Sequence, residues 1–114
     1  MELTIRSVDT VKILELVGRF DTYTADTVRQ ALDKAILEEP ANIVVNLQEV
    51  DFVDSTALAT LVQGAKNCRQ HHGDLRLCAV QQSVRMVFEL TRLDSFFEIY
   101  LQEDEAVKAF RAND

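Results

Sequence analysis

The chain has 114 residues, 47% hydrophobic and 27% charged, a composition that fits one ordinary globular domain (1–114) with enough material for a core. Twelve basic against nineteen acidic residues give a formal charge of −7, which argues against nucleic acid or an anionic membrane as a partner, since both reward a basic face. The N-terminus lacks the regions of a signal peptide, no apolar run approaches the roughly 18 residues of a membrane span, and Cys68 and Cys78 read as free thiols of a cytoplasmic protein.

Leu3 and Ile5 alternate with polar neighbours, Asp9-Thr10 marks a turn, and Val11, Ile13, Leu14, Leu16 and Val17 follow. This pattern predicts a hairpin with a half-exposed first strand and a more buried second one. Gly18-Arg19-Phe20-Asp21 breaks it. Thr22 or Thr24 then caps a helix with the apolar stripe Ala25, Val28, Ala31-Leu32 and Ala35-Ile36, ended by Pro40. Ile43-Val44-Val45 with Leu47 is too short for a helix and reads as a buried strand. Leu58, Leu61, Val62, Ala65 and Cys68 have helical spacing, and His71-His72-Gly73-Asp74 is a turn. Leu75, Leu77 and Val80 with Cys78-Ala79 predict a strand, and Val84, Val87-Phe88 and Thr91 a third helix. A short aromatic strand is expected over Phe96-Phe97-Glu98-Ile99-Tyr100. Glu103-Asp104-Glu105 opens a last helix with Ala106, Val107 and Phe110 inward, and Ala112-Asn113-Asp114 is expected to fray.

The order β-β-α-β-α-β-α-β-α predicts an α/β fold, a mixed sheet packed with helices, its initial hairpin antiparallel and later strands parallel. Strand order is not readable from the sequence.

Asp54-Ser55-Thr56 stands between the central strand and the helix after it, and all three residue types cap helices. With Asp54 and Thr56 both able to cap, Ser55 is not needed solely for that purpose. Its hydroxyl lies where backbone N–H groups and the helix dipole favour negative charge, so a phosphate there would be tolerated locally. The helix face beyond it, Thr56, Ala59 or Thr60, Gln63 and Lys66, is small and mildly polar, which suits docking of another protein. Thr56 is a rival phosphoacceptor that ranks behind Ser55.

Asp54-Ser55-Thr56-Ala57-Leu58-Ala59 resembles the Asp-Ser-Ser/Thr-Gly-Leu-Gly signature of the STAS family, specifically its bacterial anti-sigma-factor antagonists. Gly18-Arg19-Phe20-Asp21 with Thr24-Ala25, and the stretch from Leu75 to Leu93, resemble two further family segments in the same order. The resemblance implies a STAS-type domain without cofactors, which is not an enzyme. It implies that Ser55 is phosphorylated by an anti-sigma factor that is also a serine kinase of the histidine-kinase-like ATPase type. The unphosphorylated form would bind that kinase and release its sigma factor, and a metal-dependent serine phosphatase would restore it. Asp21, Asp54, Thr56, Ala59 and Gln63 would then form the partner-binding surface. Ala57 and Ala59 replace the two motif glycines, and Arg92 stands where many relatives carry glycine.

Other readings carry less. Cys68, His71 and His72 read as a helix end and its turn and not as a metal site, and no nucleotide loop or serine-nucleophile elbow is present. A STAS docking scaffold in a membrane-transport complex is the same-fold alternative. A receiver with Asp54 as phosphoaspartate would need an acidic pair and a lysine that the pattern does not supply.

Overall fold

Two apolar runs build the centre of the sheet, Val11–Val17 (β2) and Asn42–Glu49 (β3), because helices cover both of their faces. The computed structural model describes residues 1–111, so the expected fraying of the last three residues lies outside the described residues. Around the central pair stand β1 (Glu2–Val8), α1 (Ala25–Ala35), α2 (Ser55–Gln70), β4 (Asp74–Cys78), α3 (Gln82–Leu90), β5 (Ile99–Tyr100) and α4 (Glu103–Arg111). The predicted succession of elements is therefore present. The strand order is β1-β2-β3-β4-β5, with β1 antiparallel to β2 and every other pair parallel. A receiver-type sheet has the order 2-1-3-4-5, so the topology departs from the phosphoaspartate alternative.

Alternation within each strand sorts its side chains between two cores. Leu14, Leu16, Ile43, Val45, Leu47, Leu75 and Leu77 face α1, α2 and α3. Val11, Ile13, Val44 and Cys78 face Ala106, Val107 and Phe110 of α4. β1 is mostly exposed, an edge strand held by its pairing with β2 and capped in length by the turn at Asp9. No helix among the described residues is long and apolar enough to cross a membrane.

Three expectations change in detail. The first helix ends at Ala35, well before Pro40, with Ile36 closing it through a backbone bond to Leu32 O at 3.0 Å. The strand expected through Val80 stops at Cys78, because Ala79 turns into the left-handed region at φ 55. The aromatic strand shrinks to Ile99–Tyr100. Phe96 and Phe97 instead donate their backbone N–H groups to Leu93 O at 3.0 and 3.1 Å, a helical turn after Leu93–Ser95. That turn stacks Phe97 edge-on against both Phe88 (5.7 Å) and Phe96 (4.9 Å), contacts an extended chain would not make.

Gly73 fixes the join between α2 and β4. A Cβ there would stand 2.0 Å from Ala41 O, so only glycine admits the backbone beside the start of β3.

Candidate functional site

The segments leaving β2 and β3 run on side by side past the ends of the strands. Gly18, at φ 116, turns the first while donating its N–H to Glu49 O at 3.0 Å. Phe20 then pairs in parallel with Val53, its N–H bonded to Phe52 O at 3.0 Å. The Phe20 side chain is 0% exposed, and burial of that size contributes roughly 1.5–3 kcal/mol to holding the segment in place. Outside, the Arg19 guanidinium lies 3.9 Å from the centre of the Phe52 ring. This pairing sets the segments carrying Asp21 and Asp54, distant in sequence, side by side.

Asp54 is the N-cap of α2. One carboxylate oxygen accepts from Ala57 N at 2.9 Å; the other accepts from Thr22 N at 2.9 Å and from the Thr22 hydroxyl at 3.0 Å. The Ala57 N–H bond is the chief reason its carboxyl is held below the ordinary range; desolvation, next in size, opposes it, and the Thr22 donors add to the lowering. Thr22 Oγ1 also lies 3.1 Å from Thr56 Oγ1, which ties the two loops a second time. Asp21 is turned inward. Its carboxylate accepts from Tyr23 N at 3.0 Å, its N–H donates to Thr24 Oγ1 at 2.9 Å, and the Thr24 hydroxyl donates to Arg19 O at 2.9 Å.

Ser55 is the first residue of α2 and is exposed. None of the hydrogen bonds that fix the loop passes through its hydroxyl, because Asp54 alone caps the helix. Thr56 lies on the exposed helix face and caps nothing; its hydroxyl meets Thr22. Ala59, Gln63 and Lys66 continue the exposed face, so Ser55, Thr56, Ala59 and Gln63 share one surface. Asp21 and Asp54 act beneath it, as struts of the loop. The two alanines that replace motif glycines part company. Ala57 is 0% exposed and its methyl belongs to the core, whereas the Ala59 methyl faces outward.

Two residues gain importance that the sequence pattern does not give them. Thr22 reads as a possible cap for α1, yet its hydroxyl joins Asp54 to Thr56. Tyr23 is 93% exposed beside this junction. A signal for it exists: an aromatic residue between two cap-type threonines, outside the α1 stripe.

A nucleophilic serine needs a base within hydrogen-bond reach, and the adjacent carboxylate is occupied by backbone donors and kept acidic. The residues of the conceivable metal cluster do not converge either: Cys68 is buried in the core while His71 Nδ1 lies 3.0 Å from Glu39. Burial pushes both Cys68 and Cys78 thiols up to about 12.

Residues 2–106 match the model of the STAS domain family, and the chain belongs to that family. Among its relatives, an anti-sigma-B factor antagonist of Listeria monocytogenes is 32% identical over 105 residues, covering 92% of this chain and 91% of its own. The crystal structure of an anti-sigma factor antagonist from Mycobacterium paratuberculosis matches with a TM-score of 0.87 at 26% identity, covering 96% of this chain and 93% of that one. A sulfate transporter family protein from Wolinella succinogenes matches with a TM-score of 0.80 at 20% identity, covering 92% and 88%, a likeness of fold alone.

Proposed function

We propose that this protein is an anti-sigma-factor antagonist switched by phosphorylation of Ser55. Its unphosphorylated form binds an anti-sigma factor that is also a serine kinase of the histidine-kinase-like ATPase type, and so frees a sigma factor. Phosphorylation ends the binding, and a metal-dependent serine phosphatase restores it. The observation that carries this reading is the position of Ser55: exposed at the first turn of α2 and relieved of the capping role by Asp54. The similarity to the Listeria anti-sigma-B factor antagonist supplies the class of partner.

Ser55, Thr56, Ala59 and Gln63 are the contacting residues in this proposal, while Asp21 and Asp54 position them. A phosphate adds about −1.5 to −2 charge at neutral pH. The helix N-terminus accommodates it within the fold. An interface matched to a neutral hydroxyl does not. A like-charge or desolvation clash there costs several kcal/mol, about a hundredfold or more in affinity.

Titration of the anti-sigma kinase with three forms of the protein tests the switch. Wild type and Ser55→Ala are expected to bind alike, and Ser55→Asp about a hundredfold or more weakly. Equal loss in Ser55→Ala and Ser55→Asp would mean that the partner reads the hydroxyl and not the charge. Equal binding by all three would remove Ser55 from the interface.

A further inference from the structure

The two faces of the sheet are covered unequally. On one, α1, α2 and α3 share a large core that includes Cys68. On the other, among the described residues, α4 alone packs, setting Ala106, Val107 and Phe110 on Val11, Ile13, Val44 and Cys78. Open cavities undercut this helix. One of about 180 Å³ runs along it, between Val107 and the side chains of Val8 and Ile13, and another of about 230 Å³ lies at its Phe110 end.

Side chains tie α4 down at both ends. At its start Glu103 accepts from Arg6 Nη2 at 2.7 Å and from Asn46 Nδ2 at 3.0 Å. At its end Arg111 pairs on the surface with Asp9 of the β1–β2 turn, and the Arg76 guanidinium lies 4.1 Å from the centre of the Phe110 ring. The link from β5, Leu101-Gln102, adds no anchor, since Leu101 is 75% exposed. A helix of nine residues is too short to persist in water without its docking face. Local openings begin in elements that bury few apolar side chains, and α4 is such an element.

We propose that α4 is a hinged cover, which leaves the sheet and melts as a unit from the link at Leu101-Gln102, and that Cys78 is the group it guards. Opening uncovers Val11, Ile13, Val44 and Cys78, while the core under α1, α2 and α3 stays closed over Cys68. The Ser55 surface stands on the elements of that closed core, so the movement leaves it in place.

The test is alkylation of the full chain by iodoacetamide, each cysteine followed by peptide mass, with amide hydrogen exchange in parallel. The thiolate sulfur displaces iodide and forms an S–C bond, and the thiol proton goes to solvent. Both thiols are buried and raised to about 12 in the closed protein, so each reacts through its own opening. Cys78 is expected to react about tenfold or more faster than Cys68, with an opening equilibrium equal to that of the Val107–Phe110 amides. Glu103→Gln removes the charge that meets Arg6 and should speed Cys78 about fivefold or more. Phe110→Ala empties the docking face and should speed it about a hundredfold or more. Neither variant should change the rate at Cys68. Equal rates at the two cysteines of the wild type overturn the proposal, as does a rise at Cys68 that accompanies the rise at Cys78. A Cys78 rate indifferent to both variants also overturns it, and would place the opening at the β5 edge.

Discussion

Asp54 shows how one side chain can serve the fold so that its neighbour is left available. Its two oxygens accept three hydrogen bonds, from the first turn of α2 and from Thr22 across the junction. All three favour the ionised form, so the folded carboxyl sits below its ordinary value of 3.8. The linkage has a definite sign. The stabilisation is fully present above the unfolded value and is lost as pH falls through 3.8 toward the lower folded one. Asp54→Asn keeps one acceptor for Ala57 N but cannot satisfy both Thr22 donors. Its stability deficit, read from denaturation midpoints, should be constant above about pH 5 and shrink below it. A deficit that stays the same from neutral pH down to about pH 3 would show that Asp54 acts through its shape alone. The thiols give a second check at this scale. Cys68 and Cys78, buried and raised to about 12, should react with a thiol reagent only as fast as the protein opens.

Elements join through residues whose backbone demands differ from their identities. Arg92 stands between α3 and the short turn at Leu93–Ser95 with φ 63, left-handed and solvent-exposed. A residue with a Cβ pays about 1–2 kcal/mol in that conformation, a cost that glycine escapes. Arg92→Gly should therefore raise the unfolding free energy by about 1 kcal/mol in a denaturant titration. A loss of stability would mean that the arginine side chain contributes more than its backbone costs. The succession of strands and helices was legible because periods of two and of about 3.6 residues label each element independently of its partners. Strand order was not, since nothing local in β2 says which parallel neighbour it will take. The aromatic segment departs from its strand pattern for a related reason. Phe96 and Phe97 have strand propensity, and contacts with Phe88 and Arg69 from distant elements turned them out of line. At the site, Ser55 and Asp54 were readable as a serine and a cap at a helix start. The role of Thr22 was not, because it depends on the pairing of Phe20 with Val53.

Over the whole molecule, the Ser55 surface rests on a packed base. Phe20, Val53, Ala57 and Leu58 are buried directly beneath it, and α1, α2 and α3 share that core. Cores of this density do not deform gradually. A charge added on the surface is therefore expected to alter recognition while leaving the fold as it was. Ser55→Asp should shift the melting temperature by no more than about 3 °C, the range of an exposed substitution. A collapse in stability would contradict the idea that α2 accepts negative charge at its start.

The most direct measurement is an intact-mass and phosphopeptide analysis of the protein recovered from its native cells under several growth conditions. The switch predicts a species heavier by one phosphate, mapped to Ser55 and absent from Ser55→Ala. A protein that stays unmodified under all conditions, or carries its phosphate on Thr56 or elsewhere, would contradict it and leave Ser55 as a plain residue of a docking surface.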